Sequence, residues 1–257
     1  MSIRKKILAI SIGPVLVLGV ITLLFMLTMV KSSLMDEVQD ALKGTAAATL
    51  AAYDQNTGDY LESTNGDIWK GSYNISKSES LVDRIKENTG MDVTFFYGNK
   101  RIMTSALDKK GNRILGSEAG ERVVNQVIKG KKPFFSTNVS LDGTRNYGYF
   151  IPVYQNGTTD QVIGMVFVGT NKARKDAIVN KILGSIMMAL LVVMLLCIVT
   201  AMRMAASISK NIKNSVAVVG KLADGDLNVW VDEKLLKRKD EIGDLSRGTM
   251  TLSLIHI

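Results

Sequence analysis

At 257 residues with one cysteine and one histidine, the chain has no material for a disulfide framework or for a Cys/His zinc site of its own. Its formal net charge of +8 would suit a nucleic-acid binder, but acids are interspersed with the lysines and arginines, which describes a solvated surface of mixed sign instead. Mean hydropathy is nonetheless positive, so part of the chain is matched to something other than water.

Two stretches account for that hydropathy. Ile7–Val30 and Ile182–Met202 contain no charged residue. Each is long enough to cross about 30 Å of hydrocarbon as a helix rising about 1.5 Å per residue, and both read as transmembrane helices. A cleaved signal peptide accounts less well for the first, because its apolar stretch outruns the usual signal core and no small-x-small cleavage site follows it. Pro14 within it is tolerated in a membrane, where neighbours satisfy the freed carbonyl. Arg4, Lys5 and Lys6 precede the first run, and Arg203, Lys210 and Lys213 follow the second. This places residues 1–6 and 203–257 in the cytoplasm and Lys31–Lys181 outside the membrane.

From Lys31 to Asp54 there are few breakers, and Leu34, Val38, Ala41, Leu42 and Thr45 recur at helical spacing, which predicts one long helix rising from the bilayer. The stretch "DQNTGDYLESTNGDIWKGSYNIS" is rich in turn residues and predicts loose structure. "SLVDRIKENTG" predicts a short helix closed by Gly90. The period then changes. "MDVTFFY", "KRIMTSA", "KPFFSTNVSL", "TRNYGYFIPVY" and "DQVIGMVFVG" are β-branched or aromatic runs bounded by turn pairs such as Asp-Gly and Asn-Gly, and predict five strands. Between the second and third, "SEAGERVVNQVIKG" predicts a helix burying Val123, Val124, Val127 and Ile128. The simplest packing is α+β: a five-stranded antiparallel sheet flanked by helices.

Arg101, at the start of a strand in "RIMTS", has the chemistry to hold a carboxylate with two parallel hydrogen bonds, and Thr104 could add a hydroxyl. A surface Arg101 paired with Asp92 or Asp108 is the competing reading. Tyr147 and Tyr149 share one face of a strand, and Asn146, Gly148 and Phe150 share the other. Because core packing rarely needs two hydroxyls, the tyrosine face is expected to wall a pocket. No nucleophile elbow, phosphate loop or histidine placed for acid-base work is present, so neither an enzyme nor a cofactor is expected.

The segments "GDIWKGSYNIS", "TGMDVTFFYGNKRIMTSALDKKGNRILGS" and "YFIPVYQNGTTDQVIGMVFVG" resemble the single-Cache, PAS-like extracellular sensor domains of bacterial chemotaxis receptors and sensor kinases. The resemblance implies a small-molecule pocket on the concave face of the sheet, with the carboxylate of a ligand held at the positions of Arg101 and Thr104. It also implies a lid from the loop holding Trp69 and Tyr73.

After the second apolar run, Ile208, Ile212, Val219 and Leu222 fall at heptad-like steps. "GDL" at Gly225–Leu227 breaks the helix, Leu227 and Val229 begin an alternating connector, and Asp240, Glu241, Ile242 and Gly243 restart a helix that continues through Leu245. An amphipathic helix pair alone would show the same heptads. Their order and their place directly after a membrane helix resemble a HAMP domain, in which two chains form a parallel four-helix bundle. Asn211 stands where that family usually has proline. Taken together, the chain resembles the sensory half of a methyl-accepting chemotaxis receptor. That resemblance implies a homodimer, a membrane location, and a chemotaxis kinase and adaptor engaged through a signalling domain beyond residue 257. A sensor histidine kinase or a membrane-bound cyclic-dinucleotide enzyme could carry the same front half.

Overall fold

The computed structural model describes residues 2–224 and 233–255. They fall into two compact units, one of Met26–Leu183 and one made of the chain before and after it.

In the Met26–Leu183 unit, a short π-helical turn (Met26–Val30) leads into α2 (Lys31–Asp54), α1 (Ile3–Phe25) being the helix before it. Leu42, Ala46, Thr49 and Tyr53 of α2 are buried. Their i, i+4, i+7, i+11 spacing forms one stripe, and that stripe packs on the main sheet.

Three short strands follow, β1 (Tyr60–Glu62), β2 (Ile68–Lys70) and β3 (Tyr73–Asn74), paired antiparallel. This corrects the expectation of loose structure. Strands of two or three residues carry no readable alternation, and these are held by remote partners. The side chain of Gln155 accepts the Tyr60 N–H at 2.8 Å and donates to the Tyr60 carbonyl at 3.0 Å. The ammonium of buried Lys70 lies 3.3 Å from Asp54 Oδ1 and 4.0 Å from the centroid of the Tyr60 ring.

Helix α3 (Glu79–Thr89) ends at Gly90, whose φ of 68° supplies the left-handed stop expected from sequence. The main sheet then forms from β4 (Asp92–Tyr97), β5 (Lys100–Thr104), β6 (Phe134–Leu141), β7 (Thr144–Tyr154) and β8 (Val162–Asn171). Its order is β5-β4-β8-β7-β6 with every neighbouring pair antiparallel, as the five expected runs required. Between β5 and β6 comes α4 (Glu121–Val123), which continues as a π-helical turn over Val124–Lys129 that buries Val127.

Strand alternation gives the sheet two apolar faces. Val93, Phe95, Tyr147, Tyr149, Val166 and Val168 pack with the α2 stripe. Phe96, Phe150, Met165 and Phe167 pack with Val127 on the other side. From β8 the chain enters α5 (Lys172–Ala223), and α6 (Glu233–Leu236) and α7 (Glu241–Ile255) complete the described residues. Among the described residues, two helical stretches, Ile3–Asp54 and Lys172–Lys221, are long and apolar enough to cross a membrane, and the most apolar window of each is only 6% buried.

Candidate ligand-binding site

A cavity of about 520 Å³ opens on the sheet face turned away from α2. Phe96, Phe150 and Phe167 form its floor, Phe134 and the edge strand β6 one wall, and Glu118, Arg122 and Val123 its rim. The Phe150 and Phe167 rings lie 4.7 Å apart at a 42° tilt, a tilted aromatic contact within the floor.

Space for the floor comes from glycine. Gly148 and Gly169 are paired across β7 and β8. A Cβ at Gly148 would stand 2.5 Å from a Phe167 ring carbon, and one at Gly169 would stand 2.4 Å from that ring. Only hydrogen at both positions lets Phe167 lie flat under the cavity.

Arg101, the residue singled out from sequence, lines this cavity. It is 7% exposed, and its Nη1 donates to the Ile114 carbonyl at 3.3 Å. Its Nε is buried with no hydrogen-bond partner among the described residues. The guanidinium lies 5.3 Å from the centroid of Phe96. Neither acid considered as a surface partner takes it up. Asp92 pairs with Lys86 at 2.8 Å, and Asp108 accepts the backbone N–H groups of Lys110 and Asn112. Burial pulls the Arg101 guanidinium below its ordinary pKa, and the more distant charge of Asp92 offsets part of that pull.

Thr104 shares the Arg101 face only because the ladder is irregular. Residues three apart in a regular strand point to opposite faces. Here Phe95 pairs with Met103 while Phe96 pairs with Arg101, so Ile102 is the extra residue of a β-bulge. The bulge brings Arg101 and Thr104 to one side, but Thr104 does not line the cavity. Its hydroxyl bonds Thr94 Oγ1 at 2.7 Å and accepts the Ala106 N–H at 3.1 Å. Its place is structural.

Tyr147 and Tyr149 correct the expectation for the β7 face. Both belong to the cluster against α2, and the cavity lies on the face of Asn146, Gly148 and Phe150. The hydroxyl argument failed because one hydroxyl serves a remote element: Tyr147 donates to Asp176 Oδ1 of α5 at 2.5 Å. Trp69 and Tyr73 do not line the cavity either. Trp69 sits in β2, and Tyr73 in β3 packs its ring 6.3 Å from that of Tyr53.

The sequence reading missed Phe96, Phe134, Phe167 and Arg122. The guanidinium of Arg122 lies 5.4 Å from the Phe134 centroid at the rim. A signal was available for the floor: glycines one residue before Tyr149 and two after Phe167 mark strand faces stripped of side chains, where a concavity forms.

The segment after the second apolar run is placed in part. Ile208, Ile212, Val219 and Leu222 lie on α5, and Glu241, Ile242, Gly243 and Leu245 on α7; Gly225, Leu227 and Val229 lie outside the described residues. Ile208, Ile212 and Ile242 are half-buried, while Val219 and Leu245 are 48% and 45% exposed. Asp240 Oδ1 accepts the Gly243 N–H at 3.1 Å, the bond of an N-terminal cap. Gly243 is required by close approach, since a Cβ there would meet the Arg238 carbonyl oxygen at 2.2 Å. Arg238 also forks onto Asp240 and holds that carboxyl down at about 2, helped by the Gly243 N–H.

Comparison with known proteins bears on the Met26–Leu183 unit. Residues 73–182 match the family described as single cache domain 3. No curated protein matches the chain. Among solved structures, an extracellular ligand binding receptor from Desulfohalobium retbaense DSM5692 is similar at 15% identity and a TM-score of 0.40, over 57% of this chain and 25% of that one. The chain thus spans a minor part of that receptor's length. Residues 73–182 are a single Cache domain of Cache/PAS-like α+β fold, carried between two helices long and apolar enough to cross a membrane.

Proposed function

We propose that this chain is the sensory and relay portion of a bacterial chemoreceptor of the methyl-accepting type. A Cache domain implies a small-molecule ligand. In this reading the ligand is a carboxylate held by Arg101, the domain faces the outside of the cell, and both apolar helices cross the cytoplasmic membrane. The observation that carries the binding step is the buried Arg101 guanidinium, lining a cavity of about 520 Å³ with its Nε unpartnered. A buried charge without a counter-charge is costly, and a bound carboxylate would remove that cost.

For the relay, β8 runs directly into α5, so a change in the sheet is delivered to a helix that continues through the second apolar run. Displacements of about 1–2 Å are typical of such helices. Val219 and Leu245, exposed at heptad positions, support pairing with a second copy in a HAMP bundle. The output partners are then a chemotaxis kinase and its adaptor, and this portion of the receptor binds and relays without catalysing a reaction.

Two measurements test the reading. The full chain in lipid nanodiscs is unfolded thermally with a panel of carboxylates; a ligand at 100 times its Kd adds about 2.7 kcal/mol of stability. The same residues are then fused to a chemoreceptor signalling domain and kinase activity is followed in vesicles. Activity that changes with the bound carboxylate is expected. Activity indifferent to a carboxylate shown to bind would reject the relay.

A further inference from the structure

The charges around the cavity are unequal in depth, and that inequality bears on the ligand. Arg101 is the one charged side chain lining the cavity that is buried, among the described residues. The other two, Glu118 and Arg122, are exposed at the rim. A single buried guanidinium matches a single buried negative charge. A second carboxylate deep in the ligand would find no buried cation, and an ammonium beside the first carboxylate would find no buried acid. Either group would be desolvated without compensation.

Ser136, Thr137, Asn138 and Ser140 of β6 also line the cavity, while its floor is aromatic. Phe96, Phe150 and Phe167 floor the cavity, and Phe134 stands 6.5 Å from Phe150 at the wall. Rings held in tilted pairs leave faces and edges for a further apolar or aromatic group. Since the Arg101 guanidinium lies 5.3 Å from the Phe96 centroid, a carboxylate on Arg101 places the rest of its molecule over these rings.

We propose that the cavity selects a monocarboxylate with an apolar, aryl-sized body, and discriminates against α-amino acids and short dicarboxylates. This rests on the reading of the cavity as the ligand site. The selectivity comes from the missing buried partners as much as from the rings, because a site rejects a polar group most strongly where it offers that group nothing in exchange for water.

The test is equilibrium dialysis of the full chain in nanodiscs against 3-phenylpropionate, L-phenylalanine and glutarate. The first two differ by one ammonium, and the third carries a carboxymethyl group in place of the ring. Binding of 3-phenylpropionate at least ten-fold tighter than either of the others is expected, with loss of that binding in Arg101→Met. L-phenylalanine or glutarate binding as tightly as 3-phenylpropionate, with binding lost in Arg101→Met, would overturn the selectivity and leave the anion site standing. 3-Phenylpropionate binding that survives in folded Arg101→Met would overturn the site itself. No binding of 3-phenylpropionate to the unmodified chain would overturn the selectivity without recourse to any variant.

Discussion

The hydroxyl of Tyr147 on β7 donates to Asp176 Oδ1 in the opening turns of α5 at 2.5 Å. The Phe135 ring stacks on Tyr147 at 6.3 Å and 10°, and the Lys172 ammonium lies 5.2 Å from its centroid. Tyr147 therefore ties the sheet to the helix that leaves it, from the face opposite the cavity. Tyr147→Phe keeps the ring stack and removes one bond to a carboxylate, so it is expected to cost about 1.5 kcal/mol. Urea unfolding measures that cost. Affinity for the carboxylate ligand is expected to stay within about two-fold, and a larger loss would place Tyr147 in the binding machinery after all.

The same bond sets a pH dependence. Burial first, and Asp176 second, push the Tyr147 hydroxyl up to about 12, against about 10 in an unfolded chain. Folding thus favours the neutral phenol. Its stabilisation is complete below about pH 10 and is lost as pH rises through 12. Tyr53 and Tyr60 are raised by burial too and act in the same direction. Stability measured by urea unfolding at intervals from pH 8 upward should fall above about pH 10, and less steeply in Tyr147→Phe.

Gly148→Ala probes the cavity floor. The new methyl would stand 2.5 Å from the Phe167 ring and 2.8 Å from a Val139 methyl. Overpacking of this kind costs about 1–3 kcal/mol. Phe167 lines the cavity, so ligand affinity is expected to fall at least ten-fold in a chain that still folds. Unchanged affinity in the presence of the stability loss would mean that Phe167 does not border the bound ligand.

Arg101→Met separates a binding arginine from a structural one. A structural arginine loses stability on replacement. Arg101 has one long hydrogen bond and no ion-pair partner among the described residues. Exchanging an uncompensated buried charge for an apolar side chain of similar length is therefore expected to raise the unliganded unfolding free energy by about 1 kcal/mol while abolishing carboxylate binding. A drop in unliganded stability would assign Arg101 to the fold.

Much of this molecule is local and therefore written in its sequence. Charge-free runs, the α2 stripe through Leu42, Gly90 as a helix stop, and five strands set off by Asp-Gly and Asn-Gly turns each depend on residues within one element. That Arg101 stands out as a candidate has the same origin, since a guanidinium in a largely apolar strand is conspicuous wherever the strand goes. What tertiary structure decided is sidedness. Alternation divides β7 into a Tyr147 face and a Phe150 face but is symmetric between them, and only the docking of α2 on the first leaves the second to form the cavity. The bulge at Ile102, which turns Thr104 to the Arg101 side, arises from pairing with β4, and the small sheet of β1–β3 is clamped by Gln155 from far along the chain. These features depend on contacts between remote elements, and the periodicity of a single strand does not encode which partner will cover it.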